Sequence, residues 1–202
     1  MNPIINKINE IDWPAININF NWTTEIYGNA ENIGASLRDL FSGDIDLAME
    51  ATHYLWCNLC HQHSYISSAA LPAYDFLIVG LKEFEEKLKV ELLDIFLGFA
   101  VCTMHVFFSD NKCDLQQWEV RLYHKMANDI EKFRKFTHSS NEDIAYFSNE
   151  IVSYITKGHS HWSPPEDSEF YHKIDYNEFF KNAIQNPNLD VKINRVIREG
   201  SE

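Results

Sequence analysis

From Glu31 to Lys157 the apolar residues of this chain return every three to four positions, and no stretch in between carries the two-residue alternation of a half-buried strand. That single period confines the chain to helices packed on helices, an all-α fold. Stop and start signals divide it. Ser42-Gly43 ends a first helix that begins near Glu31, and Asp44, with a carboxylate that can accept the free amides of a first turn, opens a second that continues to about His61. A third helix follows Ser67-Ser68 with Pro72 near its first turn. A fourth is expected over about Lys82 to Phe108, a fifth over about Cys113 to Phe136, and a sixth over Glu142 to Lys157 capped by Ser140 or Asn141.

Both ends differ from this middle. Residues 1–30 lack the helical period and carry Trp13-Pro14, Trp22 and Tyr27-Gly28-Asn29, which reads as an irregular lead-in packed over the first helices. Residues 158–173 hold two prolines and several aromatics without a period, so a long loop is expected there, followed by short helices near 176–186 and 189–198. At 202 residues the chain reads as one domain. Helix pairs spaced by roughly 40 residues predict an α-solenoid of about three to four antiparallel pairs.

Composition narrows function more than fold. The net charge is −13, and the first 81 residues set Lys7 and Arg38 against Glu10, Asp12, Glu25, Glu31, Asp39, Asp44, Asp46, Glu50 and Asp75, a local balance of −7. Such a field repels phosphate backbones, so nucleic acid is not an expected partner and a basic protein is. Acidity that serves only solubility is the other reading. The N-terminus lacks a signal-peptide pattern, and the most apolar run, Leu92 to Phe108, is broken by Asp94, Thr103 and His105, so a cytoplasmic protein without a membrane span is expected. Cys57, Cys60, Cys102 and Cys113 are too few for a disulfide framework and read as reduced.

Three groupings could carry chemistry. Cys57-x-x-Cys60-His61-x-His63 has donor types and spacing that suit zinc, although the second ligand pair of a structural zinc site is missing, and core cysteines beside a helix-terminal histidine fit equally. His159-Ser160-His161 with Glu166 and Asp167 is a metal-like pair in the late loop. A thiol–imidazole pair of Cys57 with His53 or His61 lies at nucleophile spacing, but no glycine-rich turn supplies an oxyanion hole. The carboxylate pairs Asp46 with Glu50 and Glu166 with Asp167 read as solvated faces. No catalytic set and no cofactor are expected. Recognition surfaces are: the second helix offers an acidic face of Asp46, Glu50 and His53, and the late loop intersperses Trp162, Phe170 and Tyr171 with Glu166, Asp167 and Glu169.

A likeness adds to this reading. Ile11-Asp12-Trp13, Tyr27-Gly28-Asn29-Ala30, Leu40-Phe41-Ser42-Gly43-Asp44, Ala51-Thr52-His53-Tyr54-Leu55-Trp56, His61-Gln62-His63-Ser64-Tyr65 and Ala69 through Leu77 form an ordered series that resembles a bacterial family of HEAT-repeat-like proteins. The series departs from the family's common Gly and Val at His63 and Asp75. The resemblance implies a curved stack of helix pairs. It also implies the role of an immunity protein that neutralises a basic toxin domain, such as a nuclease, encoded nearby; a scaffold or adaptor role is the alternative.

Overall fold

A computed structural model describes residues 3–21, 23–108 and 116–158. Cys113, the late loop and the two expected terminal helices lie outside the described residues. Within them the elements are α1 (Pro3–Asn9), α2 (Glu31–Leu40), α3 (Ile45–Leu59), α4 (Ala70–Glu83), α5 (Glu86–Thr103), α6 (His105–Phe108), α7 (Gln117–Asn128), α8 (Ile130–Arg134) and α9 (Glu142–Lys157), with short 3-10 turns at Trp13–Ala15 and His61–His63. Among the described residues β-pairing is limited to two isolated bridges, Asn17 with Asn29 and Phe20 with Ser67. The described part of the chain is all-helical.

Side-chain caps fix several starts. Asp44 Oδ1 accepts from the amides of Asp46 and Leu47 at 3.0 and 3.1 Å, and Asn141 Oδ1 accepts from Ile144 at 3.1 Å, as the sequence predicts. Four expectations are corrected, the first being that the helix expected over about Cys113 to Phe136 is, among the described residues, two helices, α7 and α8, that part at Asp129. The expected Lys82–Phe108 helix is three helices, because the chain turns extended at Phe84, so that Lys82 and Glu83 close α4. The Phe84 ring packs 5.0 Å from Phe41 and lies over Gly80, where a Cβ would meet it at 2.6 Å. The second helix stops at Leu59, short of His61. The lead-in contains a helix of its own, α1, whose Ile8 is fully buried and whose Ile8 carbonyl accepts from the Trp13 indole at 2.8 Å.

The helices fall into two rows. α4 packs on α2 and α7, while α5 packs on α3 and α9, and the rows meet through α2 with α3, α4 with α5, and α7 with α9. Among the described residues α3 and α9 share no extensive contact, and neither do α2 and α7. Asn141 donates to Glu86 at 3.3 Å, which puts the N-termini of α5 and α9 together and makes the two helices run the same way. α5 is the axis of the core: Leu92, Leu93, Ile95, Phe96, Phe99 and Ala100 are wholly buried, and the Phe96 ring meets Tyr74, Phe99 and Phe133 edge-on at 5.1–5.8 Å.

The lead-in is tied down from a distance. Gln116, before the first turn of α7, donates to the carbonyls of Phe20 and Thr23 at 2.8 and 2.9 Å and accepts from Asn19 Nδ2 at 2.8 Å. Residues 16–30 double back through backbone bonds between Ile18 and Gly28, Ile18 and Tyr27, and Ile16 and Ala30.

Candidate functional site

α3 divides its residues between core and solvent. Ala48, Ala51, Thr52, Leu55, Trp56 and Leu59 are buried, while Leu47 is 37% exposed. On the other side Asp46, Glu50 and His53 are exposed and Cys57 is half-buried. With Ile45 also exposed, the start of α3 presents two large apolar side chains among carboxylates. Asp46 and Glu50 stand on successive turns, a geometry that projects their charge outward and leaves the helix itself unstrained.

Where α3 ends, a second grouping forms. His53 Nε2 lies 3.8 Å from Cys57 Sγ. His61 Nδ1 meets the Cys57 carbonyl at 3.3 Å, and its ring stacks on Tyr65 with centroids 4.6 Å apart. Burial, and after it the charge of a Cys57 thiolate, push the Tyr65 phenol above its ordinary value. Cys60 turns inward: it is fully buried, its Sγ 3.4 Å from the Trp56 carbonyl.

His63 goes a third way. At φ 58° it adopts the left-handed backbone that favours glycine. That conformation lays the ring against α5, where Nε2 meets the Asp94 carbonyl at 3.0 Å and the Asp94 carboxylate at 2.9 Å. The fit depends on Gly98, since a Cβ there would stand 2.6 Å from Cys60 Sγ and 2.8 Å from the His63 ring. Asp75, the other departure, forms a bidentate surface pair with Lys125 at 2.5 and 2.6 Å.

Cys57, Cys60, His61 and His63, the alternative metal donors, therefore do not converge. Cys57 and His61 stay near the surface, Cys60 is in the core and His63 is engaged by Asp94. Among the described residues no group of three or more His, Cys, Asp or Glu is placed to hold one metal ion. Trp162, Glu166, Asp167, Glu169, Phe170 and Tyr171, with His159 and His161, lie outside the described residues.

Sequence reasoning missed a further surface. Ile26 is 62% and Tyr27 48% exposed, side by side on the doubled-back lead-in, and Tyr27 Oη donates to Glu25 at 3.2 Å while its ring leans on Phe20. A Tyr-Gly-Asn turn marks the bend, but no sequence signal tells an outward tyrosine from a buried one. Among the described residues no helix is long and apolar enough to cross a membrane. Comparison of the chain with family models, with curated proteins and with solved structures finds no match in any of the three.

Proposed function

We propose that this chain is a binding protein of the cell interior, not an enzyme, and that it works as an immunity protein, neutralising a basic toxin domain by covering it. The observation that carries the reading is the solvent side of α3, where Asp46 and Glu50 stand exposed on one face with Ile45 exposed to one side of them and Leu47 to the other. Carboxylates with apolar side chains on either side suit a basic protein surface: the charges raise the association rate, and the apolar side chains add contact area once the complex forms. The net charge of −13 supports the same sign of partner.

The scaffold behind this surface is a short HEAT-like α-solenoid. Support comes from the two rows, α2, α4 and α7 against α3, α5 and α9, in which each helix meets its neighbours. In that arrangement α3 ends its row, and among the described residues no further helix of the row packs on its outer flank. The likeness to the HEAT-repeat-like family points to the same architecture.

The test is co-purification with the product of the adjacent gene, followed by rescue of cells that express it. Tight binding that weakens as salt rises, together with rescue, is the expected result. Reversing Asp46 and Glu50 to lysine should slow association at least tenfold and lower the salt dependence. Failure to protect cells sinks the immunity role, and an unchanged association rate in the double variant sinks the α3 surface.

A further inference from the structure

The pairing of His53 with Cys57 lies on the same side of α3 as Asp46 and Glu50 and follows a different chemistry. One helical turn separates the two residues, so their side chains rise from the same side of α3, with Nε2 and Sγ 3.8 Å apart. A tetrahedral cation that holds a thiolate at about 2.3 Å and an imidazole nitrogen at about 2.0 Å sets those donors roughly 3.5 Å apart. The observed spacing needs only a small rotation of either side chain to match it. His53 is exposed and Cys57 half-buried at the helix surface, so a hydrated ion can approach without any rearrangement of the core.

We propose that His53 Nε2 and Cys57 Sγ form a two-donor chelate for a thiophilic divalent cation of the zinc type, with the remaining coordination positions held by water. On binding, the Cys57 S–H bond breaks, the proton leaves to solvent, and the thiolate and imidazole each displace one water from the ion. The donor set differs from the Cys57, Cys60, His61 and His63 set that spacing alone suggests, because Cys60 points into the core and His63 is held by Asp94. His61 stands beside the chelate and braces the helix end through the Cys57 carbonyl.

Titrating the full chain with Co²⁺ under reducing conditions tests this directly. One equivalent should bind with sulfur-to-cobalt charge-transfer absorption in the near ultraviolet, and one equivalent of Zn²⁺ should bleach that absorption and protect one thiol from alkylation. Cys57→Ser should abolish the absorption, and His53→Gln should weaken binding at least tenfold while circular dichroism stays unchanged. No charge-transfer band in the wild-type chain at millimolar Co²⁺, a band that survives Cys57→Ser, or an undiminished affinity in His53→Gln each overturns the proposal.

Discussion

Helices α3 and α5 lie against each other in the same row and treat their acidic residues in opposite ways. α3 leaves Asp46 and Glu50 in water, where a carboxylate keeps its hydration. α5 buries Glu91 and Asp94, at 6% and 3% exposure, because α3, α4, α7 and α9 all pack on it. A buried carboxylate is tolerable only when polar groups stand in for its water, and His63 Nε2, 2.9 Å from Asp94 Oδ1 and hydrogen-bonded to the Asp94 carbonyl, is one group placed there. Place in the packing order, rather than residue type, decides whether an acid here is a surface feature or part of the core.

The sharpest way to break the contrast is at the centre. Phe96→Ala removes a ring enclosed by three others and should cost about 3–5 kcal/mol in urea unfolding. A loss under ~1 kcal/mol would deny α5 its role as core axis. Next comes the contact of His63 with Asp94. His63→Ala leaves the Asp94 carboxylate buried without its imidazole and should cost about 2–3 kcal/mol. His63→Gly removes the same ring but relaxes the left-handed backbone, and should be the more stable of the two variants by about 1 kcal/mol. Equal stabilities would show that the φ of 58° carries no strain.

A third prediction concerns alkaline pH. Burial, and after it the negative charge of Glu119, push the Cys102 thiol from 9.0 up to about 12. The folded state therefore keeps a proton that the unfolded chain has begun to lose. Stability should be fully present below pH 9 and should fall as pH rises toward 12, by about 1 kcal/mol over the first unit. Burial and the charge of Asp129 also raise the Tyr74 phenol, which adds to the slope at higher pH. Thermal melts at pH 9 and 10 should show a smaller drop for Cys102→Ala than for the wild-type chain; equal drops would remove Cys102 as a contributor. At the edge the effects shrink. Asp44→Ala should cost about 1 kcal/mol through the lost cap, read as a shift of the urea midpoint. Glu50→Lys, which touches only the solvent side of α3, should stay within ~0.5 kcal/mol in the same measurement.

What could be read in advance follows from where the forces are local. α9 begins and ends as its sequence pattern predicts, and α3 starts at its Asp44 cap, because capping and periodicity act within one or two turns. The break at Phe84 carries no glycine, proline or capping side chain and comes from packing of Phe84 on Phe41, 43 positions earlier. The 3-10 turn at His61–His63 is equally silent, since its register follows from the His63 contact with Asp94 across 31 positions. Of the candidate site, the acidic side of α3 was legible from helical spacing. The inward turn of Cys60 was not, because Cys60 already lies beyond the last helical residue and periodicity no longer fixes its direction.

The clamp at Gln116 gives the chain a timetable. Asn19, Phe20 and Thr23 wait on a side chain that lies 93–97 positions further on. During synthesis at about 5–20 residues per second, those segments leave the ribosome on the order of 5–20 s before Gln116 exists to receive them. The helices between can pair as they emerge, since their contacts are mostly with near neighbours. The lead-in, first to appear, can bond to residues 66–68 early but completes its docking only once the chain has been made at least as far as α7.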